Sequence, residues 1–178
     1  MTTPASIDVD VVVDALRHQL SVAWSMLDVS LPDSEPLDVE ELVRPRGAGG
    51  WTVHEVDGRW RAELVLPEPD GIGTPSIAWH EWHVIWWWTN VHRSLDGRPP
   101  LEHDEVPWPG PGRARASITD LHDRWQRVLD GLTAADLLRG DRSAWPYADD
   151  RPLLQTLGWV DVELMKNLGE LHLLRASR

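Results

Sequence analysis

Cysteine and phenylalanine are absent from the 178 residues, and lysine and tyrosine occur once each, as Lys166 and Tyr147. Without cysteine there is no disulfide framework, no zinc knuckle and no thiol nucleophile, so any thiol chemistry needs a thiol that arrives as a ligand. With 12 tryptophans and no phenylalanine, indole rings do nearly all the large-aromatic packing, and each buried indole N–H calls for an acceptor. Basic residues are also scarce: 17 against 29 acidic ones, for a formal net charge of −12. No basic stripe is available to neutralise phosphates, which excludes nucleic acid as a partner and disfavours anionic membranes. Long apolar runs are missing too. The stretch from Trp82 to His92, the longest around the tryptophans free of Asp, Glu, Lys and Arg, falls far short of the ~18 residues of a membrane span. The N-terminal MTTPASIDVDVV has neither the basic region nor the apolar core of a signal peptide, so a cytoplasmic location is expected.

What remains is an ordinary globular composition, 42% hydrophobic and 26% charged, of a length that suits one domain over residues 1–178. Apolar positions from Ile7 to Leu31 recur at helical spacing up to Pro32, which predicts a first long helix. WTVHEVDGRWRAELVL changes to a β pattern around Asp57-Gly58, a dipeptide suited to a two-residue hairpin turn. A second helix is predicted from Thr74-Pro75 or Ser76 to about Leu95, a proline-rich loop follows, and a third helix runs from about Ala114 to Leu132. Thr133 caps a short turn, and Pro152 opens a fourth helix. The expected fold is all-α: an antiparallel four-helix bundle with long crossover connections and an inserted β-hairpin.

The second helix, SIAWHEWHVIWWWTNV, concentrates five tryptophans and two histidines. At ~100° per residue, Ser76, Trp79, His80, His83, Trp86, Trp87 and Asn90 share one broad face, with His83 near its centre and His80 toward its edge. Trp82 and Trp88 fall elsewhere. On the fourth helix Leu153, Leu157, Val160, Leu164 and Leu171 form the apolar stripe, Asn167 lies inside it, Glu163 on its border, Glu170 further out and Lys166 toward solvent. Glu163 and Asn167, four apart, can converge on the point that His83 faces. His54, His92, His103 and His122 are expected to face solvent, and His172 to lie near the C-terminal dipole of the fourth helix. HEWH spaces its histidines three apart, so it is not the zincin HExxH.

Together, IAWHEWHVIWWW and the later WVDVELMKNLGELHLLR resemble the DinB-like superfamily of four-helix bundles, particularly an actinobacterial branch with a tryptophan-rich second helix. Relatives include bacillithiol- and mycothiol-dependent S-transferases and a mycothiol-dependent maleylpyruvate isomerase. In these enzymes a divalent metal sits on one histidine of the second helix and an HxxxH pair of the fourth, and activates a low-molecular-weight thiol. Carried over by position, the resemblance implies His83, Glu163 and Asn167 as metal ligands, with zinc or nickel as the metal. The site departs from the family's pattern where two histidines have become a carboxylate and a neutral amide, which weakens it for zinc.

Two functions follow. One is a divalent-metal-assisted transferase or isomerase that uses a low-molecular-weight thiol, with an altered metal site. The other is a non-catalytic small-molecule-binding or stress-related bundle, in which Trp79, Trp86 and Trp87 line an apolar pocket and His83, Glu163 and Asn167 orient the ligand. Relatives are often dimers, so a homodimer is also an expectation, although no dimer surface is legible in the sequence.

Overall fold

The computed structural model describes residues 8–32, 37–140, 145–147 and 149–177. In chain order the elements are α1 (Val9–Trp24), α2 (Leu27–Ser30), α3 (Val39–Leu42), β1 (Val53–Val56), β2 (Arg59–Ala62), α4 (Ile77–Leu95), α5 (Ala114–Asp130), α6 (Ala134–Leu137) and α7 (Leu153–Ala176). The long helices α1, α4, α5 and α7 close a ring, α1 packing on α7, α7 on α4, α4 on α5 and α5 on α1. This is the expected all-α fold with an inserted hairpin.

The first predicted helix is interrupted. α1 ends at Trp24, and the chain re-enters helix only at Leu27 as α2. Ile7 lies outside the described residues. In the hairpin, Asp57 (φ 52°) and Gly58 (φ 73°) both take positive φ, the geometry that matches the right-handed twist of two strands. Val53 pairs with Ala62, and both are buried, which fastens the open end of the hairpin to the core. Thr133 and Asp136 form the reciprocal cap that starts α6.

α4 is the axis of the molecule. Ser76 caps it, its hydroxyl accepting from the Trp79 amide, and Ser76 is itself held by its backbone N–H to the Trp51 carbonyl at 2.9 Å and by a 2.9 Å bond between the Thr52 and Ser76 hydroxyls. α5 and α7 flank α4, and the loops cover what they leave. Trp82 and Trp88, off the wheel's inward face, are therefore as buried as the residues on it, at 0% exposure.

Indole N–H groups explain how the irregular segments are held. Trp79 donates to the Glu63 carbonyl at 2.6 Å, Trp82 to the Val106 carbonyl at 2.7 Å and Trp86 to the Leu101 carbonyl at 3.2 Å. Asn90 donates to that same carbonyl and accepts the Leu101 amide at 2.7 Å. Phenylalanine fills similar space but has no such donor. No helix among the described residues is long and apolar enough to cross a membrane.

Candidate functional site

α4 and α7 are tied by two histidine–glutamate contacts. His83 Nε2 lies 3.5 Å from Glu163 Oε1, and His80 Nε2 lies 3.4 Å from Glu170 Oε2. Because the lower number on α4 meets the higher on α7, the helices are antiparallel and the contacts form rungs of one ladder. The wheel brought His83 and Glu163 to the same point but left His80 and Glu170 at edges. Their contact depends on how the two helices cross, which neither wheel contains.

At the first rung, Glu163 Oε1 also receives the Lys166 ammonium at 2.6 Å and the Asn167 amide at 2.9 Å. Asn167 donates as well to the Glu163 backbone carbonyl at 2.7 Å. Burial by itself would raise the Glu163 carboxyl, but contacts with His83, Lys166 and Asn167 outweigh it and hold the group at about 2. Burial pushes the His83 imidazole below its ordinary value, against the pull of Glu163. At neutral pH the rung therefore holds a neutral ring, a carboxylate and an ammonium, with their charges balanced. Lys166, placed by the wheel toward solvent, is half exposed yet reaches back to the carboxylate. Trp79 forms a wall, its ring stacked on His83 with centroids 4.8 Å apart and planes 9° from parallel.

A neutral histidine whose Nε2–H points at a carboxylate keeps a lone pair on Nδ1. His83 Nδ1 and Asn167 Oδ1 are both buried without a hydrogen-bond partner among the described residues. The second rung is better satisfied: His80 Nδ1 lies 3.0 Å from the Ser76 carbonyl, and the contact with His80 draws Glu170 below the usual carboxylate range. This rung borders a groove of about 540 Å³ that Arg46, Thr74 and Leu173 also line.

Trp86 stands near His83, with ring centroids 6.1 Å apart. Trp87 instead packs on Trp88 and edge-on to Trp159. Of the three tryptophans expected to line a pocket, Trp79 and Trp86 thus flank the histidine and Trp87 turns to another neighbourhood.

His83, Glu163 and Asn167 do come together, but this donor set suits a divalent cation only conditionally. Glu163 Oε1, the oxygen that faces His83, is occupied by an ammonium and an amide N–H, and Asn167 presents its NH2 group rather than its oxygen to it. Among the described residues, no group of three or more His, Cys, Asp or Glu is placed to hold a metal ion.

Sequence reasoning missed a second buried carboxylate. Glu81 is 4% exposed, accepts the Trp108 indole N–H at 2.9 Å and lies 3.9 Å from Arg175. Burial raises its carboxyl to about 7 against the pull of Trp108 and Arg175. The only signal was an acid inside an otherwise apolar and aromatic helical segment, and Trp108, 27 residues away, is on a loop whose course periodicity does not give. The solvent-facing expectation fails for two histidines. His92 is 1% exposed and bonds through Nε2 to the Leu121 carbonyl at 3.1 Å, because α5 covers the end of α4. His122 stacks on Trp24 with centroids 3.8 Å apart. His54 is exposed as expected and pairs with Glu63 at 2.7 Å. His172 reaches the Val29 carbonyl at 3.4 Å, so its partner is a neighbouring helix rather than its own C-terminus.

No curated protein and no solved structure matches the chain. The model of the DinB superfamily matches residues 19–171, and the chain belongs to that superfamily.

Proposed function

Starting from membership of the DinB superfamily, we propose that this protein binds a small polar molecule at the His80–Glu170 and His83–Glu163 ladder, and that Lys166 supplies the positive charge a metal supplies in metal-dependent relatives. The observation that carries this reading is the 2.6 Å contact between Lys166 Nζ and Glu163 Oε1, which leaves the carboxylate charge-balanced with no further cation. The groove beside His80 and Glu170 offers room for a ligand, and pockets of ~300–1,000 Å³ with a few convergent polar groups are the usual form of such sites. In this reading His83 and His80 orient the ligand, Glu163 and Glu170 fix the imidazoles, and Trp79 keeps water from one face of His83.

The test is a screen of small polar molecules by thermal shift on the full chain and on the His80→Ala and His83→Ala variants. Ligands that stabilise the parent and lose their effect in both variants support the ladder as one site. Stabilisation that survives both substitutions places binding elsewhere and contradicts it.

A second reading, the metal-assisted thiol-dependent transferase or isomerase, is favoured by one observation: His83 Nδ1 and Asn167 Oδ1 are buried lone-pair atoms without partners among the described residues. It requires Lys166 to swing away and the Asn167 amide to turn over, after which His83, Glu163 and the Asn167 carbonyl would hold a zinc or nickel ion. Such an ion would supply Lewis acidity that lowers the pKa of a thiol brought by a cofactor. Homodimer formation, expected from the resemblance, is a separate proposal that concentration-dependent melting tests.

A further inference from the structure

α1 and α7 enclose a second groove, of about 430 Å³, away from the ladder. His18, Gln19 and Val22 line it from α1, and Asp161, Val162 and Met165 from α7. Asp161 and Glu163 are ~200° apart around α7, so a ligand at one does not touch the other. Val22, Val162 and Met165 are large apolar side chains left 45%, 68% and 36% exposed. Between them Asp161 is only 5% exposed, and its Oδ2 is buried with no hydrogen-bond partner among the described residues. Burial without a partner pushes its carboxyl up to about 7, the cost of withdrawing a carboxylate from water, and the ladder makes no use of this one.

We propose that this groove binds a small organic ammonium ion, its charged nitrogen paired with the Asp161 carboxylate and its apolar body laid against Val22, Val162 and Met165. An ammonium is the complement the buried carboxylate lacks, and the apolar rim selects an amine with a hydrocarbon body over an inorganic cation. The net charge of −12 raises the local concentration of cations of any kind, so charge alone does not give the selectivity; the apolar walls do.

The probe is hexylammonium, with 1-hexanol and hexanoate as controls, added to the full chain and followed by NMR of the Val and Met methyl groups. Hexylammonium is expected to shift the Val22, Val162 and Met165 methyls saturably, and both controls to bind at least tenfold more weakly. Asp161→Asn removes the ionisable group at nearly constant shape and is expected to weaken hexylammonium binding at least tenfold, with a Tm no lower than the parent's. Val162→Lys, at a 68% exposed position, leaves the core intact and is expected to weaken binding by placing a competing cation at the groove. Hexanol binding as well as hexylammonium, or undiminished binding by Asp161→Asn and Val162→Lys, overturns the proposal. So does concentration-dependent burial of these methyls that hexylammonium fails to reverse, which assigns the groove to a second copy of the chain.

Discussion

The ammonium of Lys166, the only lysine in the chain, sits 2.6 Å from Glu163 Oε1, the same oxygen that faces His83 Nε2 at 3.5 Å. A cation placed there stabilises the carboxylate and disfavours protonation of the imidazole at once. The first consequence is testable on the histidine. In Lys166→Gln the ammonium is gone while Glu163 stays, so the His83 pKa should rise, which the pH dependence of its ring proton shifts in NMR measures. No change in the His83 titration would mean that the ammonium does not act on the rung in solution.

Removing one partner of a buried polar contact costs more than the contact is worth, because the other is left unsatisfied. Glu163→Ala strands His83 Nε2 and leaves the Asn167 amide only its bond to the residue-163 backbone carbonyl, and a loss of about 1–3 kcal/mol is expected in chemical denaturation. Lys166→Ala should cost less, about 0–1 kcal/mol, since its half-exposed ammonium regains water. A Lys166 variant as damaging as the Glu163 variant would contradict this ordering.

His92 gives one part of the pH dependence, opposed in sign by the raised carboxyl of Glu81. Burial lowers its imidazole to about 4, against the hydrogen bond to Leu121. A histidine depressed in the folded state contributes fully above its unfolded value near pH 6.5, and the contribution erodes as pH falls, because the unfolded chain takes up the proton first. By pH 4 the loss from this residue should reach ~3 kcal/mol, an upper figure from about 2.5 pH units. Ring proton shifts of His92 should stay those of a neutral imidazole down to about pH 4; titration near pH 6.5 would contradict its burial.

How much of this was legible follows from the range of each interaction. Helix spans and the Asp57-Gly58 turn depend on neighbours a few residues apart, and period and dipeptide reported them. His83 and Glu163 were legible because each lies at or near the apolar stripe of its own helix, so any antiparallel packing of the two brings them close. Glu81 with Trp108 and His92 with Leu121 depend on where a loop and α5 cross α4, which a single-helix wheel does not encode. The break after Trp24 was missed because the apolar spacing runs through it unchanged.

The indoles offer a paired comparison. Trp82 donates to the Val106 carbonyl, whereas the Trp87 Nε1 is buried with no partner among the described residues, and both rings are at most 1% exposed. Replacement by phenylalanine removes comparable volume at both sites, but at Trp82 it also orphans a buried carbonyl. Trp82→Phe should therefore cost about 1–2 kcal/mol more than Trp87→Phe, read from the difference in their denaturation midpoints at unchanged slope. Equal costs would show that the indole bond to the 96–113 loop does not contribute to stability.

The most direct test of the ladder as a site whose cation is Lys166 is metal content by elemental mass spectrometry. Tag-free protein would be measured before and after incubation with zinc, nickel and manganese, alongside His83→Ala, Glu163→Ala and Lys166→Ala. The expected result is far less than one metal per chain in the parent under every condition, unaltered by His83→Ala or Glu163→Ala. Near-stoichiometric zinc or nickel in the parent that disappears in both of those variants would contradict it and establish the metal-dependent reading instead.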